Sequence, residues 1–154
     1  MLDLNNLKQY EENNRLEAKQ ALGGLPESLW ETYSAFANAR GGVILLGVEE
    51  LEEGGLGALD ILDPQWLIDD FFAILRDPRR VSVNLLKEED VQVHLVDGKR
   101  IITITVPPAP PEQRPVYLNG DPWRESYVRR GEGDMRLGRE EIEEMMAGKN
   151  FPDT

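Results

Sequence analysis

A chain of 154 residues suits one domain with a single core, and 40% hydrophobic with 30% charged residues is the balance of a folded protein, too apolar for a disordered acidic chain. Cysteine is absent and histidine occurs once, at His94, which excludes disulfides, thiolate chemistry and any multi-histidine metal site. The net charge of −12 argues, as an average, against a surface made for nucleic acid, because phosphate is repelled by it.

No stretch approaches the ~18 apolar residues of a membrane span, and the opening Met1-Leu2-Asp3-Leu4-Asn5 lacks the basic flank of a signal peptide. A cytoplasmic protein without a membrane partner is expected. Along the chain, Leu4, Leu7 and Tyr10 recur three apart and predict a short amphipathic helix within 3–13. Residues 16–22 alternate loosely up to Gly23-Gly24 and read as a strand and turn, with Glu17 and Lys19 on one face. A helix follows from about Pro26, with Leu29, Tyr33, Phe36 and Ala37 as its apolar stripe, and Gly41-Gly42 ends it. Residues 43–48, apolar on both faces, predict a buried strand.

After an acidic loop over 49–57, Asp63-Pro64 caps a second helix running to about Arg76, with Trp66, Leu67, Phe71 and Leu75 inward. Residues 91–96 and 100–106 read as a hairpin turning at Asp97-Gly98, and the prolines between 107 and 115 as a stiff extended crossing. Short strands are expected at 115–118 and 126–130 around the turn at Asn119-Gly120, then a helix from about Arg139 to Met146 with Ile142, Met145 and Met146 inward. The order predicts a mixed α+β single domain over 1–154, with a mixed sheet of about five or six strands and helices packed on it. His94, without an acid–base partner in the sequence, reads as an exposed strand residue with no role.

Charge is unevenly placed. From Arg114 to Arg139 six arginines face four acids, a net of +2, which leaves −14 on the rest of a chain of −12. Arg124, Arg129, Arg130 and Arg136 beside Tyr117, Trp123 and Tyr127 are the residue types that grip phosphates and stack bases. The same segment also reads as a solvated hairpin with local ion pairs such as Arg130 with Glu132. The glycines offer no phosphate loop: Gly133 to Gly138 has the four-residue gap of a P-loop, but Arg139-Glu140 stands where lysine and a hydroxyl are needed.

Carboxylates are the other candidate chemistry. Glu12, Glu17 and the pair Glu49/Glu50 lie before a strand, on it, and at the end of the most buried strand, where α/β sheets gather functional groups. Converging, they would hold Mg²⁺ or Mn²⁺ through oxygen ligands and activate water for phosphodiester hydrolysis, with Lys19 as electrostatic support. Against this stands the abundance of acids, 29 in all, and a Glu17–Lys19 spacing that equally makes a surface pair.

Several blocks together carry a family resemblance: Glu12-Asn-Asn-Arg-Leu-Glu17-Ala-Lys19, Ser34 to Val48 with its Ala-Phe-Ala-Asn-Ala-Arg-Gly-Gly core, Arg114 to Tyr117, Tyr127 to Gly131 and Glu140 to Ile142. Spread over about 11–147, they resemble the Schlafen-type, AlbA-like DNA-binding domain. The resemblance implies a nucleic-acid-associated domain of the kind found at the N-terminus of bacterial transcriptional regulators, where a winged-helix segment follows; this chain stops at Thr154. It also implies an alternative, because animal Schlafen members use a carboxylate triad to cleave structured RNA. Two of those acids match the five-residue spacing of Glu12 and Glu17, and Glu49-Glu50 stands where aspartate is frequent.

The leading expectation is therefore a nucleic-acid-binding module, DNA before RNA, that needs no cofactor and uses Arg124, Arg129, Arg130, Arg136, Tyr117 and Tyr127. The alternatives are a Mg²⁺- or Mn²⁺-dependent nuclease with Glu12, Glu17 and Glu49 or Glu50 as metal ligands, Glu50 ahead of Glu49, and Lys19 as electrostatic support, and an interaction or homodimerisation scaffold. Gly41, Gly42 and Asn38 are expected to be structural, the asparagine by satisfying carbonyls of the last helical turn.

Overall fold

The computed structural model describes residues 2–150. Its central sheet has the order β1-β2-β6-β5, formed by Leu16–Lys19 (β1), Gly42–Leu46 (β2), Val91–Val96 (β5) and Lys99–Val106 (β6). β1 and β2 are parallel and joined through helix α1 (Ser28–Ala37), while β2–β6 and β6–β5 are antiparallel. Parallel neighbours require such a crossover, and the Asp97-Gly98 turn with both residues at positive φ closes the β5–β6 hairpin.

Two ribbons stand outside this sheet: Val48–Glu50 (β3) with Leu56–Ala58 (β4), and Tyr127–Arg130 (β7) with Gly133–Arg136 (β8). The mixed α+β class is thus observed, but the expected sheet of five or six strands is a sheet of four. Gly47, at φ +78°, turns the chain between β2 and β3, and a Cβ there would lie 2.7 Å from Ile61. The continuous apolar run 43–48 hides this break, because glycine is the one residue in it that takes the left-handed conformation without strain.

The alternation along β2 explains why it is apolar on both sides. Ile44 and Leu46 point to a core with Leu29, Trp30, Tyr33 and Phe36 of α1 and with Phe71 and Leu75 of helix α2 (Pro64–Leu75). Leu45 points to a second core with Leu7, Leu16, Val48, Leu56, Val96 and Ile101. Trp30 stacks on Phe71 at 5.0 Å between centroids, tying the two helices together. Asp63 caps α2 by accepting from the Trp66 N–H at 3.1 Å, and Pro64 takes a first-turn position that needs no donor.

Other expectations shift in detail. The N-terminal segment is a 3-10 helix over Leu4–Gln9 with one buried side chain, Leu7. Trp66 is 60% exposed rather than inward, because the buried stripe of α2 runs through Leu67, Phe71 and Leu75 at four-residue spacing, one position off. Residues 115–118 contribute only isolated bridges, Tyr117 to Ser126 and Leu118 to Val81, and β8 occupies the stretch that resembled a phosphate loop. The last helix, α3, spans Arg139–Asn150 with Ile142 fully buried and Met145 and Met146 half-buried. His94 is half-buried, its Nε2 3.0 Å from the Thr103 hydroxyl. No helix among the described residues is long and apolar enough to cross a membrane.

Candidate functional site

The polar centre of the molecule forms where β1, α1 and the β7–β8 ribbon meet. Strand alternation on β7 sends Tyr127 and Arg129 to one face, toward α1, and Val128 and Arg130 to the other. Arg129 is consequently interior, its side chain 1% exposed. Its guanidinium donates to Glu17 Oε1 at 2.8 Å, Asp134 Oδ1 at 2.7 Å, the Leu16 carbonyl at 3.1 Å and, through Nη2, the Asn13 carbonyl at 3.0 Å. The same group lies 5.0 Å from the centroid of Phe36. Asp134 accepts a second bond from the Thr32 hydroxyl at 2.6 Å. A buried guanidinium is tolerable only with this degree of pairing, since each lost partner leaves a desolvated charge.

Glu17 and Lys19 share a face of β1 as expected, with Lys19 Nζ 3.3 Å from Glu17 Oε2 and 3.0 Å from the Ser28 hydroxyl. Both oxygens of Glu17 are therefore committed to cations. Glu12 Oε2 accepts from the Ala18 N–H at 2.9 Å, which holds the segment before β1 against that strand. Burial, hydrogen-bonding contact with Glu50, and the nearby Glu17 push the Glu12 carboxyl up to about 8, so the fold favours its protonated form. Glu12 and Glu50 share a small cleft of about 210 Å³ with Glu11 and Glu132, at the turn between β3 and β4. That turn is tight: a Cβ on Gly55, at φ +84°, would fall 2.0 Å from the Lys8 carbonyl oxygen.

Glu12, Glu17 and Glu50 are thus brought together, and Glu49 is not, because it alternates with Glu50 on β3 and pairs across to Gly57. Their arrangement does not fit a divalent cation. Glu17 is paired with Arg129 and Lys19, and among the described residues no group of three or more His, Asp or Glu side chains is disposed to hold a metal ion. Lys19 spends its charge on Glu17 and is only 10% exposed, so it does not face a passing phosphate.

The arginine surface is also smaller than its sequence suggests. Arg129 is interior, and Tyr127 is only 5% exposed, its backbone N–H donating to Ser34 Oγ at 3.0 Å. Arg130 is paired with Glu141, and Arg139 with Glu143 at 3.0 Å, one helical turn along. Arg114 donates to the Ala109, Asn38 and Ala39 carbonyls. It thereby fills the helix-end role expected of Asn38. Asn38 instead joins two other segments to α1, donating to the Val116 and Tyr127 carbonyls at 2.9 and 2.8 Å and accepting from the Val116 N–H at 2.8 Å.

Arg124 and Arg136 remain exposed and make no ion pair among the described residues. Arg136 lies 6.0 Å from the centroid of Tyr127, and Trp123, 44% exposed, carries the Arg139 guanidinium 4.9 Å above its ring. Tyr117 is half-buried, its N–H donating to Ser82 Oγ at 2.9 Å. Of the three aromatics that the sequence sets beside these arginines, Trp123 is the exposed one. Gly41, at φ +77°, closes α1, and a Cβ on Gly42 would meet the Phe36 ring at 2.8 Å, so both glycines are structural as expected.

With this geometry in hand the likeness to known proteins is informative. The family model described as Schlafen, AlbA_2 matches residues 12–138, and the chain belongs to that family. Its fold is similar to the solution structure of the N-terminal domain of a RecG-related protein of Nitrosomonas europaea, a protein described in terms of an ATP-dependent DNA helicase. The two share 31% identity at a TM-score of 0.63, over 87% of this chain and 90% of that one. It also resembles the crystal structure of the DIP2311 protein of Corynebacterium diphtheriae, with a TM-score of 0.57 and 24% identity, over 88% of this chain and 24% of that much longer one. No curated protein sequence matches.

Proposed function

We propose that this domain is a nucleic-acid-binding module, with DNA ahead of RNA as its partner, serving transcriptional regulation in the cytoplasm of a bacterium. The observation that carries the reading is that Arg124 and Arg136 are exposed and make no ion pair among the described residues, in the same segment that exposes the ring of Trp123. Exposed guanidinium groups and an exposed aromatic ring supply phosphate contact and base stacking, the two terms that hold single strands. Family membership and the DNA-helicase wording attached to one structural neighbour point the same way. With −12 overall, long-range attraction is poor, so affinity rests on the local contacts.

The experiment is a titration of labelled single-stranded DNA, duplex DNA and transfer RNA with the protein and with the Arg124→Ala/Arg136→Ala variant, at two salt concentrations. Binding in the ~1–100 μM range that weakens with salt, and weakens again in the variant, is expected. Absence of binding to all three, or binding indifferent to salt, overturns the reading. Cleavage of a substrate in Mn²⁺ that is lost both with chelator and in Glu17→Gln would replace it with a metal-dependent nuclease.

A further inference from the structure

A second concavity of about 520 Å³ opens beside the edge strand β1, between the N-terminal segment, the start of β2 and the end of β6. Tyr10, Val43, Val106 and Pro108 form its floor and walls, and Arg15 and Arg40 both line it. Its size is that of a small-ligand site. No carboxylate lines it, whereas the hollows beside Trp66, under Tyr127, at Glu50 and beside Phe72 each contain at least one. In a chain with 29 acidic and 17 basic residues, an acid-free hollow with two arginines is the exception among these five.

Both arginines are exposed, and neither makes an ion pair or a side-chain hydrogen bond among the described residues, so their donors are free for a ligand. Their backbones are nevertheless fixed. The Arg15 N–H donates to Asn13 Oδ1 at 2.7 Å and its carbonyl accepts from the Val43 N–H at 2.9 Å. Arg40 directly precedes Gly41, whose position is so close to β6 that a Cβ would lie 2.6 Å from the Val106 carbonyl oxygen. Tyr10 is anchored through its hydroxyl, which accepts from the Asp3 N–H at 2.8 Å.

We propose that this groove binds a nucleotide, its phosphate held by Arg15 and Arg40 and its base lying on the floor of Tyr10, Val43, Val106 and Pro108. A guanidinium offers a planar fork of donors that matches phosphate oxygens, and two of them supply the charge that the rest of the surface lacks. The apolar and aromatic floor favours a nucleotide over a bare phosphate or an acidic peptide, neither of which has a flat apolar part to bury. If the nucleotide is one unit of a strand, the groove adds a second contact to the nucleic-acid reading; a free nucleotide would use the same chemistry without that reading.

The test is amide-shift mapping of the full chain with adenosine monophosphate, inorganic phosphate, a thymidine oligonucleotide and a glutamate-rich peptide. It is repeated in Arg15→Ala/Arg40→Ala, and in Arg15→Lys/Arg40→Lys to keep the charge, with thermal melting to confirm folding. The expected result is perturbation by the mononucleotide at residues 13–16, 40–43 and 105–108, stronger than by inorganic phosphate. Its affinity should fall roughly tenfold in the alanine pair, less in the lysine pair, and not at all in Arg124→Ala/Arg136→Ala. An oligonucleotide that perturbs the same amides places the groove on a strand, and its salt slope should drop by ~0.7 for each phosphate contact removed. Mononucleotide shifts elsewhere, no shifts, or a stronger response to the peptide overturn the proposal. If the oligonucleotide then still binds through Arg124 and Arg136, the nucleic-acid reading survives without the groove.

Discussion

Arg129 and Glu12 each hold a charge state that depends on burial, and each makes a prediction. Removing the Arg129 side chain would leave Glu17 with Lys19 alone and Asp134 with the Thr32 hydroxyl alone, and would take one donor from each of the Asn13 and Leu16 carbonyls. Arg129→Met should therefore destabilise the fold by about 3–5 kcal/mol in chemical denaturation, the cost of breaking a buried ion pair from one side. Glu12 behaves in the opposite sense to most carboxyls. Its folded pKa of about 8 lies above the ordinary 4.5, so the stability it contributes is whole below pH 4.5 and is lost as pH rises through 8. Glu12→Gln, which mimics the protonated acid, should match the parent below about pH 4, where the carboxyl stays protonated on unfolding, and lose less stability between pH 5 and 8. An equal loss in both proteins would refute the assignment. The interior place of Arg129 was partly legible, because period-two alternation puts it on the face of Tyr127; what hid it was the habit of reading arginine as surface. The meeting of Glu12, Glu17 and Glu50 and the Glu17–Lys19 pair were anticipated, but not the second cation on Glu17, since Arg129 lies more than a hundred residues further along the chain.

Between elements, the joint of α1 with the C-terminal half depends on Ser34 and Asn38, one turn apart on a buried helical face. The Ser34 hydroxyl donates to the Val116 carbonyl at 2.7 Å, and Asn38 makes three bonds to Val116 and Tyr127. Asn38→Ala leaves the Val116 N–H and the Tyr127 carbonyl without these partners and should cost roughly 3 kcal/mol, with amide exchange accelerated first in β7 and β8. Asn38→Asp should be no better, because a carboxylate keeps one acceptor bond and faces two carbonyls. The helices, β2 and the β5–β6 hairpin were legible because each combines a strong period with a stop signal: Gly41, Pro64, Asp97-Gly98. The split of the sheet at Gly47 and the strand β8 were not. One follows from a single glycine torsion inside an apolar run, and the other has the composition of a loop and is held by Asp134 and by its pairing with β7.

For the molecule as a whole, most of the positive charge between 114 and 139 is consumed inside the fold or by neighbouring acids, so the segment sum of +2 overstates the surface available to phosphate. The −12 total predicts self-repulsion among exposed carboxylates, and raising monovalent salt from low to moderate concentration should raise Tm while weakening any nucleic-acid complex. A Tm that falls over the same range would contradict this. The formal charge itself counts every carboxylate as ionised, whereas the Glu12 carboxyl is pushed from the ordinary 4.5 up to about 8. Between those two pKa values unfolding therefore releases a proton from Glu12 to solvent. Unfolding heats measured by calorimetry should accordingly depend on the buffer that receives this proton. They should be smaller in Tris, which takes it up with release of heat, than in phosphate, and in Glu12→Gln most of that difference should vanish.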